Sequence, residues 1–165
     1  MTVRPIRFFG DPVLRSRADE ISRFDETTRA LVDDLLDTVR VPGRAGVAAN
    51  QIGVGLRAFS YNIDGEVGYV INPVLAEVRG EPELLDEGCL SVPGVGFPRR
   101  RHPWARVTGV DLNGAPAEIA GEGLLAQALQ HETDHLDGKL YIEGLDPEVK
   151  REAMRAIRQA DWFVR

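Results

Sequence analysis

The 165-residue chain is predicted to fold as an α+β protein, on three observations. Residues 25–40 place apolar side chains at helical spacing. Residues 56–120 carry short alternating runs separated by hairpin-type turns. Residues 122–165 return to helical periodicity. The length suffices for one real core, and no repeat, low-complexity run or linker divides it, so a single domain spanning 1–165 is expected. A net charge of −6 argues against bulk nucleic-acid binding, and no direct nucleic-acid specificity is predicted. No segment is long and apolar enough for a membrane span, and the first residues lack the apolar run of a signal peptide. Cys89 is the only cysteine, so no intrachain disulfide can form, which fits a reducing cytoplasm.

Residues 1–23 read as an extended arm with a turn at Gly10-Asp11-Pro12, and Leu14, Ala18 and Ile21 as a short packed segment. Asp25 can cap a helix over 25–40 whose apolar face is Leu31, Val32, Leu35, Leu36 and Val39. Asp33, Asp34 and Asp37 should point to solvent, and Pro42-Gly43 should stop the helix. Residues 43–55 are rich in glycine and alanine and include the Gln51 amide. They suit either a tight turn or an active-site wall. Strands are predicted at 56–62, at 67–72 (stopped by Pro73), at 74–78, at 83–85, at 104–112 and at 115–120. Asp64-Gly65 and Asn113-Gly114 supply turns. The helix at 122–137 is apolar nearly all round and should be buried, with Gly138 as its C-cap. The tail, 146–165, reads as an amphipathic helix with Val149, Ala153, Ala156, Ala160 and Phe163 on its apolar side. Arg151, Arg155, Arg158 and Arg165, with Trp162, form a solvated stripe or a docking surface for an acidic partner.

Chemistry concentrates in the buried helix, at His131-Glu132-Thr133-Asp134-His135. Two histidines four apart share one helix face, one turn apart, as two ligands of one metal ion require. Glu132 is then placed to reach a water at the metal rather than the metal itself. A tetrahedral ion needs a third protein ligand. Tyr141 stands where the third histidine of one metallopeptidase pattern would fall, so Gly138 is better read as a cap. Glu143, Glu148 and Glu152 lie downstream as in a second peptidase pattern, His102 lies upstream, and Cys89 offers a thiolate. A thiolate with two imidazoles leaves the fourth position open for catalysis.

Three stretches together, Gly46-Val47-Ala48-Ala49-Asn50-Gln51, Glu87-Gly88-Cys89-Leu90-Ser91 and His131-Glu132-Thr133-Asp134-His135, resemble the peptide deformylase family in order and spacing. The likeness extends to Val70-Ile71-Asn72-Pro73 and covers most of the chain. It implies an α+β fold with the histidine helix packed among antiparallel strands. It also implies removal of the formyl group from formylmethionine of newly made proteins. By that resemblance Cys89, His131 and His135 hold the metal, and Glu132 is the general acid/base. Gln51 and the Leu90 N–H line the oxyanion site, the Gly46 backbone holds the substrate chain, and Arg101 contacts substrate. Gln127 and Ala128 border the methionine pocket. Fe(II) is the expected native ion, and the donor set also accepts Zn(II), Co(II) or Ni(II). The expected partners are formylmethionyl peptides and nascent chains, with a ribosome contact through the C-terminal helix.

The chain departs from the pattern in four places. Arg44 replaces a usual glycine, which either stiffens the loop or puts an arginine on the cleft rim to meet the peptide. Asn50 replaces another residue type beside Gln51. Gln127 and Ala128 stand for bulkier apolar residues, so the pocket is expected to be wider or more polar. Two other functions compete with deformylation: a metallopeptidase with a glutamate ligand, and a catalytically silent binding module on the same fold.

Overall fold

Asp25 sets the start of the first helix, as its side chain predicts. In the computed structural model, which describes residues 2–164, its carboxylate accepts the Thr27 and Thr28 N–H groups at 3.1 and 3.3 Å. Helix α1 then runs Glu26–Val39 and buries Leu31, Val32, Leu35 and Val39. Asp34 does not simply face solvent. It accepts from the Thr2 backbone and from the Arg4 guanidinium, strapping the N-terminal arm to the helix.

The strands are β1 (Gly46–Ala48), β2 (Ala58–Ile63), β3 (Glu66–Arg79), β4 (Glu83–Cys89), β5 (Val92–Arg101), β6 (Trp104–Val110) and β7 (Pro116–Glu122). Five form an antiparallel sheet in the order β1-β2-β3-β6-β7, and β4 pairs with β5 as a separate antiparallel ribbon. Helix α2 runs Gly123–Leu136 and α3 runs Pro147–Gln159. Alternation along the strands assigns the two faces of the sheet. Val47, Ala58 and Ile71 pack with α1, whereas Ala48, Phe59 and Val70 pack with Ala126 and Leu129 of α2. The helices therefore cover opposite faces. A third cluster joins Val92 of β5, Tyr141, Ile142 and the buried side of α3.

Three expectations are corrected. Pro73 does not end a strand: β3 continues through it, because Asn72 adopts a left-handed φ of 50° and the ladder shifts register between Ile71 and Val74. At such an irregularity a missing N–H costs little. The Asn72 amide also pairs with both backbone groups of Ile21. The strand expected at 83–85 extends to Cys89, and β5 was not anticipated at all. Its Pro93, Gly94, Gly96 and Pro98 hide the strand signal, yet residues 96–101 pair with β4 along a two-stranded ribbon. The tail helix ends at Gln159 rather than continuing through 165. Trp162 leaves the arginine stripe, donates to the Pro93 carbonyl at 2.8 Å and packs on Phe8. Arg165, assigned to that stripe, lies outside the described residues.

The end of α2 is held from several directions. Gly138 takes φ 78°, and the Gly138 and Lys139 N–H groups close the last turn onto the His135 and Asp134 carbonyls at 3.0 and 2.9 Å. Buried Arg57 donates to the Leu136 carbonyl at 2.8 Å, the Ala18 N–H donates to the same oxygen at 2.9 Å, and the Asn50 amide donates to the His135 carbonyl. Carbonyls that α2 cannot satisfy internally thus find partners. Among the described residues no helix is long and apolar enough to cross a membrane.

Candidate metal centre and active site

Helical spacing brings His131 and His135 together as the sequence predicts, their Nε2 atoms 3.1 Å apart. The end of β4 delivers Cys89, whose Sγ lies 3.3 Å from His135 Nε2. The three ligand atoms fall within 4.8 Å of one another. Ligands about 2.0–2.3 Å from one tetrahedral ion lie roughly 3.5 Å apart, so this donor set fits a single divalent ion. Glu143, Glu148 and Glu152 are exposed and outside the cluster. His102 is also outside it, its Nδ1 meeting the Gly80 carbonyl at 2.9 Å. Tyr141, in the position considered for a third histidine, is buried. It stacks on the His131 ring and donates to the Val95 carbonyl at 2.9 Å.

The cluster opens into a cleft of about 700 Å³. Gly46, Gln51, Leu90, Gln127, Ala128 and Glu132 all border it. Glu132 is 3 % exposed, and its Oε1 has no hydrogen-bond partner in the protein. Its Oε2 lies 3.9 Å from His131 Nε2. A Cβ on Gly46 would stand 2.7 Å from that same Oε2, so glycine is the residue that leaves room for the carboxylate. The Gln51 amide is fixed at both ends. Its Oε1 accepts the Ala48 N–H at 2.9 Å, and its Nε2 donates to Ser91 Oγ at 3.1 Å with Cys89 Sγ 3.7 Å away. The donor end therefore faces the cluster. Gln127 Nε2 donates to the Asp86 carbonyl and to Glu87 Oε1, at 3.0 and 3.3 Å.

Arg101 is placed differently from the expected substrate contact. It is 4 % exposed and absent from the cleft wall. It grips Glu87 through Nε and Nη2 at 2.8 and 2.6 Å, and Asp134 through Nη1 at 2.8 Å. Glu87 in turn meets His131 Nδ1 at 2.7 Å, which turns His131 Nε2 toward the cluster. Sequence reasoning gave Glu87 no task. The signal was present, because Glu87 and Cys89 sit two apart on one strand and so share a face. Asn50 and Ser91, which hold His135 and Gln51, carried no comparable signal.

The electrostatics follow from burial and pairing. Burial alone would raise the Glu87 carboxyl, but hydrogen bonds from Arg101 and His131 outweigh it and hold the group well below the usual carboxylate range. Burial pushes Glu132 up to about 7, with His131 opposing and Glu87 reinforcing the rise. Burial, with the neighbouring His131, holds His135 well below its ordinary value and keeps it neutral, the form that binds metal.

Comparison with known proteins agrees with this geometry. The Polypeptide deformylase family model matches residues 3–151. The peptide deformylase of Acidothermus cellulolyticus is 50% identical over 98% of this chain and 89% of its own length. That of a Parafrankia species is 52% identical over the same shares, 98% and 89%. The crystal structure of a peptide deformylase from Legionella pneumophila superposes with a TM-score of 0.88 at 38% identity, covering 96% of this chain and 95% of that one.

The Glu87 pairing predicts a pH signature. Its folded-state pKa lies below the ordinary value of 4.5, so its stabilisation is complete above that value and is lost as pH falls toward the folded-state value. Replacing Glu87 with Gln should cost about 3–5 kcal/mol at pH 7, because Arg101 loses a buried partner. The gap to wild type should narrow as pH falls from 5 to 3. Urea unfolding of both proteins across that range is the check.

Proposed function

The chain belongs to the peptide deformylase family, and we propose that it hydrolyses the N-formyl amide of formylmethionyl peptides and nascent chains, releasing formate and a free N-terminal amine. One observation carries this reading: a Cys-His-His donor set shares a cleft with a buried carboxylate, Glu132, one of whose oxygens has no protein partner. Cys89, His131 and His135 would hold the ion. When bound, a divalent ion there supplies a Lewis acid and lowers the pKa of a coordinated water from 15.7 toward roughly 7. Glu132 takes a proton from the attacking water and passes it to the departing amine, and burial, which raises its carboxyl above the usual range, makes it the better proton acceptor. The Gln51 Nε2 and the Leu90 N–H donate to the oxygen on which charge develops. Gln51 needs no reorganisation, since its amide is already oriented by Ala48 and Ser91. The Gly46 backbone holds the peptide main chain beside Glu132, and Gln127 and Ala128 border the methionine side chain. A formyl carbon bears only hydrogen beyond its amide, so a narrow floor can admit it and reject an internal peptide bond.

The peptidase reading needs a glutamate ligand, and the exposed positions of Glu143, Glu148 and Glu152 do not favour it. A silent module has no need of Glu132 or Gln51. The proposed place of action is the cytoplasm, a reducing compartment that the single cysteine fits, and the exposed Arg151, Arg155 and Arg158 of α3 are proposed to meet the ribosome. Fe(II) is proposed as the native ion, by the family resemblance and by donors that accept it.

Formate release from a formyl-Met peptide should fall about 100- to 10,000-fold in Glu132→Ala while metal content stays at the wild-type level. Cys89→Ala should lose the metal. No formate from metal-loaded wild type, or full metal retention without Cys89, would sink the assignment. The protein purified in air should lose activity that anaerobic handling or Ni(II) preserves, and an equally active zinc form in air would count against iron. Neutralising Arg151, Arg155 and Arg158 together should weaken co-sedimentation with ribosomes, and unchanged sedimentation would refute the contact.

A further inference from the structure

Arg44 stands on the rim of the cleft without a carboxylate partner among the described residues. It lines the cavity that Gly46, Gln51 and Glu132 share, and it is half-buried. Its Nη1 donates to the Thr38 carbonyl at 3.0 Å, near the end of α1, which anchors the guanidinium at one corner. Arg4, Arg7, Arg57, Arg99, Arg100 and Arg101 each have a carboxylate within 4 Å, whereas Arg44 makes no ion pair among the described residues. A guanidinium has five N–H donors in a fork that matches a carboxylate, and a single carbonyl uses only a small part of them.

The course of the backbone shows what meets those donors. β1 is an edge strand, hydrogen-bonded to β2 on one side only. The Ala45 carbonyl accepts the Asn62 N–H at 2.9 Å, so the ladder continues beyond Gly46 toward Arg44. An edge of this kind pairs with an extended peptide. Gly46 backs directly onto Glu132, so the reacting end of a substrate lies beside Gly46. Val47, Ala48 and Ala49 are fully buried, which closes the edge in that direction. A peptide paired with this edge therefore runs past Ala45 and Arg44. An extended chain advances about 3.3 Å per residue, so Arg44 lies roughly 7 Å along the edge, beside the second or third residue of the substrate. The β4 rim of the same cleft carries Asp86, exposed and of opposite charge, so Arg44 is the positive group on the β1 side.

We infer that Arg44 is a specificity-determining residue: it selects formyl peptides that carry a carboxylate at the second or third position, from an acidic side chain or from the end of a short peptide. This rests on the deformylase reading above and names a substrate class within it. Binding of the carboxylate acts on KM rather than on kcat, because the contact is remote from the formyl carbon and equal in ground and transition states.

The test compares amidated tripeptides that differ only in charge. Formyl-Met-Glu-Ala-amide is set against formyl-Met-Gln-Ala-amide, and formyl-Met-Ala-Glu-amide against formyl-Met-Ala-Gln-amide. A free-acid form of the last peptide separates side-chain from terminal carboxylate. Wild type at low salt should favour at least one charged member by about 2- to 5-fold in kcat/KM, the range expected for a partly screened ion pair. The preference should lie in KM, shrink in 0.5 M salt and fall to about 1 in Arg44→Gln. Equal rates on every charged and neutral pair in wild type, or a preference that survives Arg44→Gln, would overturn the role of Arg44 while hydrolysis of the neutral peptides upholds deformylation. Failure of metal-loaded wild type on all the peptides would overturn both.

Discussion

The Glu87 carboxylate cannot be buried alone, and the architecture of the site follows from how it is paired. Taking a carboxylate out of water costs several kcal/mol unless opposite charge and hydrogen bonds replace the lost hydration. Here Arg101 supplies a two-pronged guanidinium contact and His131 supplies a ring nitrogen. Arg101 is itself shared with Asp134. One buried carboxylate thereby ties β4, β5 and α2 together, and it turns the His131 ring so that its far nitrogen meets His135 and Cys89. Arg101 sits behind Glu87 and His131 rather than in the cleft, although its place in the chain had suggested a substrate contact.

The same economy governs the wall opposite. Gly46 yields space to Glu132, and Gln51 is held at both ends of its amide by Ala48 and Ser91. The Glu132 carboxylate is thus dry, and the neighbouring Gln51 donor is already oriented. In a water-excluded site preorganised donors are worth far more than in solvent. Burial of α2 between the sheet and the β4-β5 ribbon creates that dryness, and Asn50, Arg57 and Gly138 keep the helix end from fraying beneath the ligands.

Much of the fold was legible because its signals are local. Asp25 announces α1, the Gly-containing turns announce β2 to β3 and β6 to β7, and the two histidines announce their own geometry. The failures share a cause. β5 is rich in Pro and Gly that suppress strand propensity, yet β4 supplies partners for residues 96–101. Pro73 reads as a stop, but a left-handed Asn72 and a shifted ladder carry β3 past it. Trp162 reads as part of a helical stripe, but contacts with Pro93 and Phe8 draw it away. In each case a tertiary partner overrides a weak local preference.

By itself the sequence determined the chemistry available: one thiol, two imidazoles at helical spacing with a carboxylate between them, and three motifs whose order identifies the family. Those facts depend on residue type and on the fixed geometry of a helix or strand, which need no distant contact. Only the tertiary structure decided which groups the chemistry uses. It brought Cys89 to the histidines across the gap between β4 and α2, and it left the downstream glutamates in solvent. It also withdrew Arg101 behind Glu87 and placed Arg44 unpaired along the open edge of β1. A charge acquires its role from what else is buried with it, and that is settled when the chain folds.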